Sequence, residues 1–88
     1  MRILFIENGF DEFLYWEVTD KKIFNKIKKL LEDIKRNGHS GVGNPEPLVG
    51  NYSGWWSKQI DKKHRLIYRI LDDNTIEIMK CFGHYDDK

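Results

Sequence analysis

The apolar positions of this 88-residue chain change period along its length. Ile3, Leu4, Phe5 and Ile6 form an unbroken apolar run, which predicts a short buried strand over residues 2–6, ended by Asn8-Gly9. From Phe10 the spacing turns helical through Phe13, Leu14 and Val18, with Asn8 a candidate cap and Asp11 and Glu12 in the first turn, where the helix dipole favours acids. A second helix follows. Thr19 or Asp20 can cap it, and Ile23, Phe24, Ile27, Leu30, Leu31 and Ile34 draw one apolar stripe along it. Lys35 and Arg36 suit its C-terminal end, and Gly38 suits the residue that stops it.

The pattern then lapses. Five of the seven glycines and both prolines fall in residues 38–54, which predicts a long loop, and long loops in small domains are disproportionately functional. Three strand-like runs come next, over residues 54–60, 65–71 and 75–82, with Asp61-Lys62-Lys63 and Asp72-Asp73-Asn74 as turns between them. The order β-α-α-β-β-β predicts an α+β domain in which two N-terminal helices cover one face of a mostly antiparallel sheet.

Composition narrows the class. At 40% hydrophobic and 33% charged residues, the chain is too apolar for a disordered tail and too charged for a membrane span. One domain spanning residues 1–88 is expected, and the acids that follow soon after the first apolar run argue against a signal peptide, so a cytoplasmic location is expected. Cys81 is the only cysteine, which excludes an intramolecular disulfide and a cysteine-rich zinc site, and it reads as a small buried strand residue. The histidines show no zinc spacing, so neither a metal nor a cofactor is expected.

The net charge of +1 hides segregation: residues 1–20 carry −4, 21–36 carry +5, 58–71 carry +4 and 72–88 carry −3. A basic middle between acidic ends suits a polyanion-facing surface, although a lysine-rich helix face can be no more than solvated. Lys26, Lys28, Lys29 and Lys35 on the second helix, with Lys58, Lys62, Lys63 and Arg69, are the candidates for contact with such a polyanion.

Glu46 is the only charged residue between Gly38 and Ser57, and it sits in Asn44-Pro45-Glu46-Pro47, where each proline restrains the residue before it. A carboxylate on a stiffened backbone suits a general base; a rigid turn with an exposed glutamate is the plainer alternative. Strand alternation puts Arg65, Ile67 and Arg69 on one face and His64, Leu66, Tyr68 and Ile70 on the other. Arg65 could hold a phosphate bidentately, or pair with an acid across the strand. His84, with Tyr85 beside it, sits at a strand tip and could donate a proton near neutrality, or be inert. Trp55 and Trp56 point to opposite faces, so one should pack inside and the other be available to a base; Trp56 is taken as the RNA-facing candidate.

The segments YWEVTDKK (15–22), GNPEPL (43–48), SGWWSKQI (53–60), HRLIYRI (64–70) and CFGHY (81–85), in this order, closely resemble the YoeB/Txe toxins, which are RelE-like messenger-RNA endonucleases of bacterial toxin–antitoxin modules. The resemblance spans nearly the whole chain. It implies a microbial-ribonuclease-like fold, cleavage of mRNA in the ribosomal A site, and neutralisation by a YefM-like antitoxin; it leaves homodimer formation open. It also implies roles: Glu46 takes the proton of a ribose 2′-hydroxyl, Arg65 holds the scissile phosphate, His84 protonates the departing 5′-oxygen, and Tyr85 shapes the site. Two positions depart from the pattern, Val49 where a lysine often follows PEPL and Gln59 where a basic residue often follows SGWWS. A non-catalytic module that binds nucleic acid or an antitoxin as a transcriptional co-repressor, or a small structural interaction domain, would leave Glu46 and His84 dispensable.

Overall fold

The computed structural model describes residues 1–84, so Tyr85 lies outside the described residues. Strand β1 (Arg2–Phe5) leads into helix α1 (Gly9–Thr19) and helix α2 (Lys21–Asn37); β2 (Glu46–Pro47), β3 (Trp56–Gln59), β4 (Arg65–Leu71) and β5 (Thr75–Lys80) follow. They form one five-stranded sheet in the order β1-β5-β4-β3-β2, parallel only between β1 and β5. The expected two-helix α+β arrangement is therefore present, with a strand added at one edge.

That strand lies inside the stretch expected to be loop. Asn44 and Glu46 both precede prolines and are pushed toward extended or turn geometry, and Glu46–Pro47 pairs antiparallel with Ser57 and Trp56. Pro47 has no N–H to give to a further strand, so it can sit only at a sheet edge, which is where β2 lies. Short 3-10 turns at Gly38–Ser40 and Gly50–Tyr52 break up what remains.

Of the two candidate caps, Asp20 is the one that caps α2, its Oδ1 accepting from the N–H groups of Lys22 and Ile23 at 3.0 and 3.3 Å. Asn8 makes no such side-chain bond. What begins α1 instead is Gly9, packed so tightly on the Ile78 carbonyl that a Cβ there would lie 2.7 Å from that oxygen. The core joins the α2 stripe of Phe24, Ile27, Leu30, Leu31 and Ile34 to Leu66, Tyr68, Ile76 and Ile78 from the sheet and to Cys81 just after β5. Leu48 and Ile67 are buried as well but stand outside this cluster, since Ile67 faces the side of β4 away from the helices.

Lys58 corrects an expectation. Its neighbours in the strand face away from the helices, but Lys58 itself points toward α2, is wholly buried, and its Nζ bonds Asp33 Oδ2 at 3.0 Å. It is not presented to RNA. Asp33 also accepts from the Asn37 side chain at 2.8 Å and from the Val42 N–H at 2.9 Å. The Lys58 bond first, then the Asn37 bond, hold its carboxyl below the usual carboxylate range against the opposing effect of burial. Gly41 lets the loop pass this carboxylate, since a Cβ there would overlap it. The ion pair thus moors residues 41–43, the approach to Asn44 and Glu46, onto the helix.

Candidate active site

Register brings the site together. Glu46 on β2 is opposite Ser57 on β3, and Gln59 on β3 is opposite Arg65 on β4. Ser57 and Gln59 are two residues apart and share a face, so Glu46, Ser57, Gln59 and Arg65 all project from the side of the sheet that the helices leave uncovered. With Asn44 and His84 they line one cleft of about 170 Å³. The backbones of Glu46 and Arg65 stand one strand apart across β3, on the order of 10 Å. Side chains reaching inward over that span can meet a ribose and its phosphate from two sides.

The Glu46 side is stiff. Asn44 holds φ at 52°, in the left-handed region that asparagine tolerates, and Gly43 holds 94°. The Gly43 carbonyl accepts from the Gln59 N–H at 2.7 Å, and Leu48 N–H donates to the Trp55 carbonyl at 2.9 Å, so both ends of the Asn44–Pro47 segment are tied to β3 or its lead-in.

Arg65 is held from the turn. Its Nη1 donates to the carbonyls of Asp61 at 2.8 Å and His64 at 3.1 Å, which fixes the guanidinium plane and leaves Nε and Nη2 for an anion. Asp61 in turn accepts from the N–H groups of Lys63 and His64 at 2.9 and 2.7 Å. Burial pushes the Asp61 carboxyl up, but these two bonds together with the nearby Arg65 charge hold the group below its ordinary value. Lys62 and Lys63 are exposed at this turn, beside the Arg65 end of the cleft.

His84 is delivered by the segment after β5, which is tied down residue by residue. Cys81 N–H donates to Glu12 Oε1 at 2.7 Å, the Trp16 indole donates to the Cys81 carbonyl at 2.9 Å, and the Gly83 carbonyl accepts from Arg65 N–H at 2.9 Å. Cys81 is buried, as expected of it, and burial, with Glu12 nearby, pushes its thiol up to about 12, far from a reactive thiolate.

The remaining candidates separate from the cleft. Trp56 pairs with Tyr68 on the helix side of the sheet and stacks on His39 at 4.0 Å, so it is the inward tryptophan, contrary to its assignment as the RNA-facing one. Trp55 lies under the Arg69 guanidinium at 4.4 Å. Arg69 also bonds Glu77 at 2.6 Å, the cross-strand pairing that was the plainer reading for an arginine on this face. Lys28, Lys29 and Lys35 are exposed on α2 and Lys26 is half-buried there, one layer behind the cleft. Asn44 and Ser57 line the cleft as well; register places Ser57 there, opposite Glu46, whereas Asn44 precedes the paired residues and no signal in the sequence marks it. Among the described residues no group of three or more His, Cys, Asp or Glu could hold a metal ion, and no helix is long and apolar enough to cross a membrane.

Residues 5–85 match the model of the family described as YoeB-like toxin of bacterial type II toxin-antitoxin system. The chain is 44% identical over 85 residues to Toxin YoeB of Escherichia coli (strain K12), covering 97% of this chain and 100% of that one. It is 42% identical over 81 residues to Toxin RelK of Mycobacterium tuberculosis, covering 92% and 94%. Among solved structures, the YoeB/ParE toxin from Agrobacterium tumefaciens superposes with a TM-score of 0.92 at 34% identity, covering 97% of this chain and 100% of that one. The toxin of the YoeB-YefM complex from Staphylococcus aureus does so at 0.89 and 41%, covering 97% and 98%. A YoeB dimer from the same organism gives 0.88 and 42%, with the same coverage. With a matching family model over almost its whole length, relatives above 40% identity and the fold of solved YoeB toxins, the chain belongs to the YoeB-like toxins of bacterial type II toxin–antitoxin systems.

Proposed function

We infer that this toxin is an endoribonuclease that cleaves messenger RNA in the ribosomal A site by general acid–base chemistry, with Glu46, Arg65 and His84 as its catalytic residues. The observation that carries the reading is their convergence: a carboxylate, a guanidinium and an imidazole from three separated stretches of chain line one small cleft. Glu46 accepts the proton of the 2′-hydroxyl, and the 2′-oxygen attacks the adjacent phosphorus. Arg65 opposes the negative charge that builds on the phosphoryl oxygens. The bond from phosphorus to the 5′-oxygen then breaks, and that oxygen takes a proton from the His84 imidazolium. A 2′,3′-cyclic phosphate and a 5′-hydroxyl result. Tyr85, next in the chain, completes the set as a residue that orients His84 or substrate.

The nucleophile is part of the substrate, so its attack is intramolecular and gains from proximity without a bound hydroxide. Excess EDTA should leave cleavage intact once ribosome integrity is controlled. End-mapping of the fragments is the direct test. A 5′-hydroxyl with a 2′,3′-cyclic or 3′-phosphate is expected, and a 5′-phosphate would exclude the mechanism.

Lys62 and Lys63 beside the cleft, and Lys26, Lys28, Lys29 and Lys35 on α2, supply salt-dependent affinity for ribosomal RNA. By analogy with the YoeB-YefM complex, the neutralising partner is a YefM-like antitoxin, and by analogy with the YoeB dimer the toxin can pair with itself. Such a toxin acts in the cytoplasm, where its ribosomal substrate is.

A further inference from the structure

His64 lies on the helix side of the sheet, enclosed by Trp16 at 4.8 Å between ring centroids and Phe82 at 5.0 Å, and is buried. Nothing in the cleavage chemistry calls on it. Its Nδ1 nonetheless accepts the N–H of Gly83 at 2.8 Å, one residue before His84. For that bond the Nδ1 lone pair must be free, so the ring is neutral with its proton on Nε2. The neighbouring Arg65 N–H donates to the Gly83 carbonyl. Gly83 is therefore gripped on both sides of its α-carbon by two consecutive residues of the chain, in a backbone conformation with φ at 75° that L side chains rarely adopt.

This arrangement replaces a strand pair. After the β4–β5 ladder ends at Ile67 opposite Lys80, the chain from Cys81 to Gly83 has no regular strand partner. A side-chain acceptor takes the place of a backbone carbonyl. Because His64 and Arg65 are adjacent in sequence, the grip sets where His84 leaves the sheet relative to the guanidinium that meets the phosphate. We propose that His64 is a positioning residue: its neutral Nδ1 fixes the Gly83 amide and so aims the His84 imidazole at the leaving oxygen of a phosphate held by Arg65. The proposal rests on the acid role of His84 inferred above.

Two substitutions separate the acceptor from the ring. His64→Phe keeps an aromatic ring against Trp16 and Phe82 but has no acceptor, whereas His64→Asn loses the ring and places Oδ1 near the position of Nδ1. Single-turnover cleavage of a short mRNA on programmed ribosomes should fall by about 10- to 100-fold in His64→Phe, the scale expected of a small misplacement of a reacting group, while ribosome affinity stays within about twofold. His64→Asn should recover most of the lost rate. In the full-length wild-type protein, a scalar coupling across the hydrogen bond between the Gly83 amide nitrogen and His64 Nδ1 should be observed by NMR. That last measurement needs no variant to fold. Wild-type rates in His64→Phe, equal loss in both variants, or absence of the coupling would each overturn the proposal. His84→Ala serves as the reference: if it cleaves like wild type, the acid role itself fails, whereas an inert His84→Ala beside a fully active His64→Phe removes only the positioning role.

Discussion

Two cations one strand apart, Lys58 on β3 and Arg65 on β4, show how differently the two faces of this sheet treat charge. Lys58 points to the helices, is fully enclosed and is matched by Asp33. Arg65 points the other way, is half-buried, and is braced on backbone carbonyls, which hold its geometry without neutralising it. A buried ion pair loses much of its attraction to desolvation and acts mainly by demanding one arrangement. A guanidinium at a cleft keeps its charge available to a ligand. Both came from the same basic stretch of sequence, and only the face separates a mooring from a candidate catalytic group.

The widest separation between the faces should come from activity. Glu46→Ala and His84→Ala should each lower cleavage by on the order of 10²- to 10⁴-fold, the usual contribution of a positioned acid or base, with no shift of thermal midpoint for the exposed Glu46 beyond a degree or two. Cleavage assays beside melting curves test this. Toxicity retained by both variants would instead favour a non-catalytic co-repressor.

Asp33→Ala should act in the opposite sense. It leaves the enclosed Lys58 ammonium without its carboxylate and frees the loop at Val42, so the thermal midpoint should fall on the order of 10 °C. Cleavage should persist well below that lowered midpoint. A midpoint unchanged from wild type would mean that the pair is not a mooring.

Acid should reveal the helix-covered face next. Burial, with Lys58 close by, lowers His39 from its ordinary 6.5, and the Lys58 bond lowers Asp33 from its ordinary 3.8. In both cases the unfolded chain binds the proton more tightly, so the stabilising contribution is complete above the unfolded value and is lost as pH falls through the folded one. Urea midpoints should therefore drop in two stages, below about 6.5 and again below about 3.8. Lys58→Met should flatten the lower stage; an unflattened curve would assign that stage to other carboxylates such as Asp61.

The smallest effect belongs to Gln59. Arg65 is the only Lys or Arg among the described residues lining the cleft, and the uncharged Gln59 faces it across the β3–β4 pair. Gln59→Lys should steepen the salt dependence of RNA binding by about one phosphate contact, a slope change of about 0.7 to 0.9, with little change in single-turnover rate. Binding titrations at several salt concentrations measure it. An unchanged slope would place Gln59 outside the phosphate path.

What could be read from the chain was whatever depends on near neighbours. The apolar stripe of α2, the Asp20 cap, the stop at Gly38 and the alternation along β4 are local patterns, and the structure reproduces them because each is set within a few residues. The motif order around Glu46, Arg65 and His84 was equally plain. Which face Lys58 and Trp56 would take was not, because a one-residue choice of phase inverts a strand and only the docking of α2 selects it. β2 was hidden for the same reason: two residues with two prolines near them carry no period, and pairing with Ser57 and Trp56 is what makes them a strand. The cleft itself belongs to tertiary structure alone. Glu46, Arg65 and His84 are far apart along the chain, and they meet because strand register and the grip on Gly83 set distances that no local pattern encodes.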